Sequence, residues 1–375
     1  MSDDAKPMVD RTAEVLVIGG GLAGAATAAH LARAGRSVVV LERDAEPTHK
    51  VCGEFLGRAA CRELEGLGVD LESLGARWIE HCTLFSGDRS AQAPLPFRAA
   101  GLSRRTLDPA LRDHAAWAGA DIRLGVRSTA VRGGQVDLAN GESLSANAIV
   151  IATGKHEVRG LTRRSVLKRK DAKIGIKEHL SLTPSAMADL GNSVELHFFE
   201  GGYAGLMPTG DGVANLSIAM DPAVWRAREL TPATYRDWLQ RYVPSLQDRL
   251  TGARSLFPKP LTVSAVPYGY RLWSAPDDEP SLWRVGEQAI VTPSLTGEGM
   301  SLALGSARCL GECLLAGRSQ TEYRQSLRRH FNRQILAARS FEALLEGSMT
   351  RGGIMRLLAV LPSALGVAAR LTRSA

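Results

Sequence analysis

Three glycines, Gly19, Gly21 and Gly24, stand between a short apolar run that ends at Ile18 and a stretch rich in alanine. Gly19 permits a tight turn, Gly21 lets the backbone approach a diphosphate that a side chain would block, and Gly24 allows a helix to pack closely on a strand. The free N–H groups and the dipole at the start of such a helix favour negatively charged phosphate. The spacing therefore predicts a strand, a turn and a helix that bind a dinucleotide.

The residues that continue this unit support the same prediction. Leu22 and Ala23 lie in the first turn of the predicted helix, and Val38–Leu41 forms a second apolar run. Glu42 ends that run and is followed by Arg43, and we expect both, like Leu22 and Ala23, to contact the cofactor. A carboxylate about twenty residues beyond the glycines accepts hydrogen bonds from a ribose and repels the 2′-phosphate of NADP. We therefore expect a cofactor that contains ADP, and among such cofactors we favour FAD.

Composition and charge place the chain among ordinary globular proteins. It has 375 residues, of which 45% are hydrophobic, and this is long enough for two lobes. The net charge of +7 comes from arginines along the whole chain. The densest basic run has no aromatic residues interleaved with it, so we expect a solvated face and no nucleic-acid partner. That run consists of Arg163, Arg164, Lys168, Arg169 and Lys170.

The cysteines and the first residues indicate the compartment. Cys52, Cys61, Cys82, Cys309 and Cys313 are an odd number at no zinc-ligand spacing, so we expect a reducing cytoplasm, no disulfide framework and no metal site. The first dozen residues are polar and lack the apolar core of a signal peptide, which also favours the cytoplasm.

The apolar stretch 354–367 raises the question of a membrane. It contains Arg356 and Pro362 and is too short and too interrupted to cross a bilayer, so we expect no transmembrane segment. Flanking arginines leave open a peripheral contact with lipid, or a cover over an apolar substrate entrance. Packing of this stretch on the body of the protein is the simpler interpretation.

Hydrophobic periodicity predicts an α/β chain that alternates between two lobes. From Lys173 to Ile218 the period is two, which indicates an antiparallel sheet, and residues 322–346 have helical spacing. A helix is expected at Leu64–Leu74, and Pro94 and Pro96 are expected to break strands. We assign residues 11–75, 101–170 and 280–318 to a cofactor-binding domain, 76–100 and 171–279 to a substrate-binding sheet domain, and 319–375 to a C-terminal helical region.

The segment 285–303 resembles the second flavin-binding motif of FAD-dependent monooxygenases and geranylgeranyl reductases, with Glu287 where most members have Asp. In that motif the acid meets the ribityl hydroxyls of FAD, and loop amides face the pyrimidine end of the flavin ring, where they stabilise negative charge. The likeness spans most of residues 13–315 and implies a Rossmann-like, glutathione-reductase-type fold. The residues matched to cofactor contacts are Arg104, Ala152, Thr153, Gly154, Gly286, Glu287, Pro293, Gly297, Gly299 and Met300.

The run from His49 to Leu56 is most similar to the geranylgeranyl reductase branch of that superfamily. There a Lys-x-Cys-Gly motif lies beside the reactive face of the flavin, which implies FAD contacts for Lys50, Cys52 and Gly53. The resemblance implies a chemical role for Cys52, with a buried structural thiol as the alternative. Glu54 is a candidate proton donor or substrate anchor, with an exposed acid as the alternative.

The stretch 202–208 is expected to line the substrate pocket through Tyr203, Met207 and Pro208, although packing alone could explain these residues. It stands where flavin-dependent halogenases carry a Trp-x-Trp-x-Ile-Pro motif, so halogenation is disfavoured. A second departure is Gly154–Gly160, which replaces the Asp-Gly motif of many flavin hydroxylases. NAD(P)H is therefore a candidate electron donor without a recognised binding motif.

These observations predict an FAD-dependent oxidoreductase of secondary metabolism or lipid biosynthesis. Its substrate is expected to be a hydrophobic aromatic, polyketide or isoprenoid compound, free or presented by a carrier or a membrane. Hydroxylation is favoured because hydroxylases are the larger part of the superfamily. Reduction of a double bond, or dehydrogenation, is the alternative that the Cys52 motif favours. A flavin-binding protein that modulates a partner without turnover is a third interpretation.

Overall fold

The computed structural model describes residues 13–159, 161, 173–210, 212–275, 279–361, 363–371 and 373. The basic run that begins at Arg163, with its predicted solvated face, lies outside the described residues.

The secondary structure is numbered in chain order. The strands are β1 (Ala13–Ile18), β2 (Val38–Glu42), β3 (Phe55–Leu56), β4 (Arg77–Ser86), β5 (Arg89–Gly101), β6 (Asp121–Leu124), β7 (Ser128–Arg132), β8 (Gln135–Leu138), β9 (Ser143–Ile151), β10 (Lys173–Ser181), β11 (Ser193–Phe199), β12 (Gly202–Pro208), β13 (Val213–Met220), β14 (Arg254–Ser255), β15 (Leu261–Val266) and β16 (Leu282–Arg284). The α-helices are α1 (Leu22–Arg33), α2 (Arg58–Gly66), α3 (Arg104–Trp117), α4 (Pro184–Leu190), α5 (Pro222–Ala227), α6 (Tyr235–Tyr242), α7 (Pro244–Leu250), α8 (Gly299–Leu315), α9 (Gln320–Glu346), α10 (Ser348–Val360) and α11 (Ser363–Leu371).

The first sheet has the strand order β6-β2-β1-β9-β8-β7, with β16 beside β9. Strands β6, β2, β1, β9 and β16 are parallel to their neighbours in this group, as the Rossmann-like prediction requires. Every residue of β2 is buried, because one face of the strand packs on helices and the other on β7 and β8. Ala25, Ala28 and Ala29 of α1 are fully buried in the core between this sheet and α8, since their small side chains permit close approach.

The second sheet has the order β14-β10-β13-β12-β11-β4-β5-β3, with β15 beside β10. Its pairs are antiparallel apart from β4 and β11, which run parallel. The antiparallel sheet predicted from the period of two is confirmed. One face of its β10–β13 part packs on the short helices α4, α6 and α7 through a core that includes Leu216, Tyr235 and Leu239.

The C-terminal region is helical, as predicted. Ser319 and Glu322 form a reciprocal capping box that begins α9. Met355 and Leu358 of α10 and Leu365 of α11 pack with Leu84 of β4 and Leu295 in one apolar cluster. The last helices therefore pack against the second sheet beside the loop that precedes α8.

Two local predictions were wrong. The helix expected at Leu64–Leu74 is α2, which ends at Gly66 because Gly68, with φ of +85°, turns the chain away. Pro94 and Pro96 were expected to break strands but lie inside β5. The register of β4 and β5 shifts between the pairs Ile79–Ala99 and His81–Pro94, and such an irregularity tolerates residues without an N–H.

The domain division remains a prediction. Strand β3 lies within residues 11–75, which were assigned to the cofactor domain, yet it pairs with β5 in the second sheet. The loop before β3, which carries Cys52, therefore connects the two sheets.

Candidate active site

The first glycine turn has the geometry that its sequence predicts. Gly19 has φ of +105°, and a Cβ there would lie 2.6 Å from the carbonyl oxygen of Ala152. A Cβ on Gly24 would lie 1.9 Å from the carbonyl oxygen of Gly19, so α1 packs on β1 only with glycine at this position. Gly21 is the N-cap of α1 and provides no side-chain cap. The first N–H groups of α1 are thus available to an anion.

Glu42 is held at the end of β2 beside this turn. Its Oε2 accepts the N–H of Gly20 at 2.8 Å and its Oε1 accepts that of Asp44 at 3.0 Å. The side chain is almost fully buried and lines the large cavity of the molecule. Its neighbours at the cavity edge are paired as well, Lys50 with Asp44 at 2.6 Å and Arg43 with His156 at 2.9 Å.

The second predicted flavin motif packs directly on the first. Gly286 has φ of +60°, and a Cβ there would lie 2.8 Å from the Cβ of Ala23 in α1. Gly297 has φ of +70°, and a Cβ there would lie 2.8 Å from the ring of Phe55. Helix α8 then begins at Gly299 without a side-chain cap. The first turns of α1 and α8 both line one cavity, through Leu22 and Met300 among others.

Lys155 connects the segments around this cavity. Its Nζ donates to Glu287 Oε1 at 2.7 Å and to the carbonyl oxygen of Val51 at 3.1 Å. Burial alone would lower the pKa of Lys155, but the charge of Glu287 outweighs it and the pKa is raised. The lysine therefore stays charged between the Cys52 loop and the second motif.

The cavity has a volume of about 970 Å³, near the upper end of the range of about 300–1,000 Å³ for ligand pockets. Thr292 and Thr296 line it, and their hydroxyls are buried with no hydrogen-bond partner among the described residues. Buried polar groups are normally paired, so these two hydroxyls fit a polar ligand such as a flavin. Together with the open starts of α1 and α8, they make the chain's own residues compatible with FAD.

Most residues predicted for the site line this cavity, but three do not. Gly24 packs α1 on β1, which is the role its spacing predicts. Pro293 is the N-cap of the short 3-10 helix Ser294–Thr296 and is flanked by lining residues. Pro208, which was expected in the substrate pocket, is not among the residues that line this cavity. Side chains alternate along β12, so Tyr203, Gly205 and Met207 line the cavity, whereas the backbone carbonyl of Pro208 lies against Gly101.

Glu54 is fully buried and has φ of +58°, a strained conformation for a residue with a side chain. Its Oε1 accepts the ammonium of Lys177 and the N–H of Arg104 at 2.8 Å, and its Oε2 lies 2.6 Å from His179 Nε2. Burial alone would raise the pKa of the Glu54 carboxyl, but the hydrogen bond from His179 and the charge of Lys177 outweigh it, and the pKa is lowered. An ionised acceptor of this kind argues against the expected roles of Glu54 as a proton donor or an exposed acid.

The side chains that pair with Glu54 were not predicted from the sequence. Lys177 and His179 lie on either side of Glu178 in β10, and all three residues are buried although they are polar. The only sequence signal was this polar interruption of an apolar strand. His49, Glu54 and His179 also have metal-ligand atoms within 4.8 Å of one another. The Lys177 ammonium on the same carboxylate would repel a cation, so the contacts fit an ion pair better than a metal site.

The Cys52 loop is fixed by this cluster and by β13. Asn215 Nδ2 donates to the carbonyl oxygen of Gly53 at 2.9 Å, and the N–H of Glu54 lies 3.4 Å from Cys52 Sγ. The Cys52 sulfur interacts electrostatically with Arg104, Lys155 and Lys177. Burial, in contrast, raises the pKa of the Cys61 and Cys82 thiols to about 12. Cys52 is therefore a cavity-lining thiol in a cationic environment.

Comparison with known proteins agrees with this geometry. Residues 12–158 match the family model described as an FAD binding domain. The chain is an FAD-dependent oxidoreductase that is similar to the flavin monooxygenases and geranylgeranyl reductases. Within the part of the chain that the structure describes, no helix combines the length and apolar character needed to cross a membrane.

Relatives of two kinds resemble this oxidoreductase. It is 27% identical to a menaquinone reductase of Mycolicibacterium smegmatis, over 89% of this chain and 84% of that protein. It is 28% identical to a digeranylgeranylglycerophospholipid reductase of Methanoculleus marisnigri, over 81% of this chain and 78% of that protein. A squalene epoxidase of Schizosaccharomyces pombe is 33% identical, but over only 25% of this chain and 21% of that protein.

A solved structure supports the fold. A geranylgeranyl bacteriochlorophyll reductase-like protein from Thermoplasma acidophilum superposes with a TM-score of 0.72 at 20% identity. The superposition covers 90% of this chain and 88% of that protein. At this identity the likeness establishes the architecture alone.

Proposed function

We propose that this oxidoreductase reduces a carbon–carbon double bond in an apolar, isoprenoid-type substrate. The observation that carries the proposal is the position of Cys52, on a fixed loop between the cofactor part of the cavity and an apolar part lined by Leu84, Leu196 and Leu365. Relatives that align over most of this chain include two kinds of reductase, which supports the proposal.

Separate parts of the cavity would bind the cofactor and the substrate. FAD, when bound, supplies the transfer of hydride. The start of α1 and Glu42 would hold its ADP part, and the start of α8 with Glu287 and Lys155 would hold its flavin end. The Cys52 loop orients the substrate relative to the flavin, while α9, α10 and α11 keep water from the apolar part of the cavity.

The test is anaerobic turnover. Holoprotein whose flavin has been reduced chemically is mixed with geranylgeraniol or with a prenylated naphthoquinone, and the product is analysed by mass spectrometry. Gain of two hydrogen atoms without oxygen supports reduction. Absence of anaerobic turnover, together with incorporation of labelled oxygen in air, would replace the proposal with hydroxylation.

Hydroxylation is the second candidate function. The observation that favours it is the match between part of this chain and a squalene epoxidase. The same apolar cavity would suit either reaction, and for that reason the test above measures both products.

NAD(P)H is proposed as the electron donor. Arg43, Lys155 and Arg159 line the cavity near the cofactor part and supply positive charge for a phosphorylated donor. Stopped-flow mixing of the oxidised holoprotein with NADH or NADPH tests this. Bleaching of the flavin absorbance by neither nucleotide would point to a protein donor instead.

We also propose that the substrate reaches a cytoplasmic, peripherally bound protein from a lipid surface. Leu365, Gly366 and Ala369 of α11 line the cavity, whereas Val360 and Leu361, just before that helix, are exposed. A helix pair that is apolar outside and lines the cavity inside would connect lipid and active site.

A further inference from the structure

Three hydroxyl groups meet on one wall of the cavity. Tyr203 donates its hydroxyl proton to Ser294 Oγ at 2.6 Å, and Tyr268 donates to the same oxygen at 3.0 Å. All three residues line the cavity and come from separate segments, namely β12, the loop after β15 and the 3-10 helix before α8. We call these residues the hydroxyl cluster.

Hydrogen-bond counting leaves this cluster incomplete. A serine hydroxyl has one proton to donate and accepts two hydrogen bonds. The two tyrosines use both acceptor positions of Ser294, and no acceptor for its own proton is found among the described residues. Each tyrosine oxygen in turn retains lone pairs. The cluster can therefore donate one hydrogen bond to a ligand in the cavity and can also accept one.

The electrostatics favour a neutral ligand. Burial raises the pKa of both tyrosine hydroxyls, so they stay protonated in the physiological range. Glu342 interacts electrostatically with both tyrosines, whereas Lys155 interacts with Tyr268, and burial raises the pKa of the Glu342 carboxyl to about 7. An acid that ionises here would repel a carboxylate or a phosphate, whereas a carbonyl or hydroxyl oxygen would be unaffected.

The surroundings of the cluster are apolar. Tyr203, Leu196 and Phe341 pack against the apolar cluster that contains Leu84 and Leu365, and these side chains line the same cavity. On the other side, Ser294 begins the segment that leads through Thr296 to the start of α8. The hydroxyl cluster thus lies between an apolar channel and the loop matched to the flavin.

We propose that the Tyr203–Ser294–Tyr268 cluster binds a neutral oxygen function of the substrate, a carbonyl or a hydroxyl, while the apolar remainder of the molecule lies along Leu84, Leu196 and Leu365. This inference rests on the proposed function and adds the substrate class: an apolar compound with one oxygen-bearing end near the flavin. The three residues are specificity-determining, because Ser294 hydrogen-bonds the substrate and the tyrosines orient Ser294.

The experiment compares ligands that differ only in oxygen. Oxidised holoprotein is titrated with menadione, 1-naphthol and 2-methylnaphthalene, and dissociation constants are read from the flavin absorbance. We expect menadione or 1-naphthol to bind at least about tenfold more tightly than 2-methylnaphthalene, since a site built to hydrogen-bond discriminates strongly against a ligand without that group. Tighter binding of menadione would indicate a substrate with a carbonyl group, and tighter binding of 1-naphthol would indicate a substrate with a hydroxyl group.

The variants assign that preference to the cluster. Ser294→Ala should abolish the preference for oxygen-bearing ligands, and Tyr268→Phe and Tyr203→Phe should weaken it. Ser294→Thr, which retains a hydroxyl, should keep the preference. Thr262→Val removes another hydroxyl that lines the cavity and should leave it unchanged. FAD content and melting temperature identify any variant that fails to fold.

The outcomes separate the two proposals. Equal affinity of the wild type for all three ligands, weak binding of the oxygen-bearing pair, or a preference that survives in Ser294→Ala would overturn the hydroxyl-cluster inference and leave the reductase proposal standing. A preserved oxygen preference in a protein that shows no anaerobic turnover would overturn the reductase proposal alone.

Discussion

Cys52 differs from the other cysteines in what surrounds its sulfur. It lines the cavity and interacts with three cationic side chains, whereas Cys313 is buried in α8 and donates to the carbonyl oxygen of Ser319. We predict that Cys52→Ser retains its FAD but has a turnover rate lowered at least about tenfold, because a hydroxyl does not replace a thiol as nucleophile or proton carrier. Flavin absorbance and single-turnover kinetics measure the two effects separately. Cys313→Ser is the matched control, and equal rates in both variants would make Cys52 a packing residue.

Glu54 and Lys177 should contribute stability that depends on pH. The pKa of Glu54 is lower in the folded protein than its ordinary value of 4.5, so the pair stabilises the fold at neutral pH and loses this contribution as the pH falls below 4.5. Glu54→Gln should cost about 3–5 kcal/mol near neutral pH, because it leaves the Lys177 ammonium, whose pKa burial already lowers, without its counterion. The difference in free energy of unfolding between the wild type and Glu54→Gln should become smaller as the pH falls, because Glu54 then loses its charge in the wild type as well.

Urea unfolding at neutral pH and near pH 4 measures this difference. Glu14→Gln removes an exposed acid and serves as the control. The double variant Glu54→Gln/Lys177→Met should be more stable than Glu54→Gln alone, since it removes the unpaired charge. A constant gap at every pH would show that the acid does not act through its charge.

At the scale of elements, the β1–α1–β2 unit was predictable because its signals are local. Apolar runs, glycine spacing and the terminal acid all lie within about thirty consecutive residues, which is the length of such a unit. The Glu54 cluster was not predictable in this way. Lys177 and His179 lie more than 120 positions along the chain from Glu54, and only the pairing of β10 with β13 brings them to the Cys52 loop. The bend that accommodates Pro94 inside β5 likewise depends on the register with β4.

The start of α1 offers a direct test of cofactor binding. A Cβ on Gly21 would meet nothing closer than the Arg104 guanidinium at 3.4 Å, so a side chain fits without disturbing the backbone. Gly21→Glu should therefore fold, yet its carboxylate would stand where the diphosphate is expected. We predict colourless protein with an unchanged far-UV circular dichroism spectrum. Gly21→Ala is the control for side-chain size and should retain most of its flavin. A yellow Gly21→Glu protein would contradict the placement of the diphosphate at this turn.

At the scale of the whole molecule, the two sheets and the C-terminal helices enclose one continuous cavity from the glycine turn to α11. Its cofactor part was foreseen from motifs, because a cofactor of fixed shape imposes fixed spacings on the chain. Its apolar part was foreseen only as a class of substrate. Leu84, Leu196 and Leu365 come from β4, β11 and α11, and no local pattern links them.

The outer surface of the last helices determines how this cavity is reached. Met355 and Leu358 of α10 face inward, while Met349 is 90% exposed, Val360 86% and Leu357 55%, with the exposed Arg356 among them. Exposed apolar side chains beside a cation suit the interface of an anionic membrane. We predict that the holoprotein sediments with vesicles that contain phosphatidylglycerol, and less with vesicles of phosphatidylcholine alone.

The variant Leu357→Asp/Val360→Asp should lose this binding and retain activity on a detergent-solubilised substrate, because both side chains point away from the cavity wall. Trp117→Asp is the control, since Trp117 is equally exposed, at 84%, but belongs to α3 beside the first sheet. Loss of sedimentation in both variants would indicate a general effect of negative charge. Binding retained in Leu357→Asp/Val360→Asp would exclude α10 as the contact with lipid.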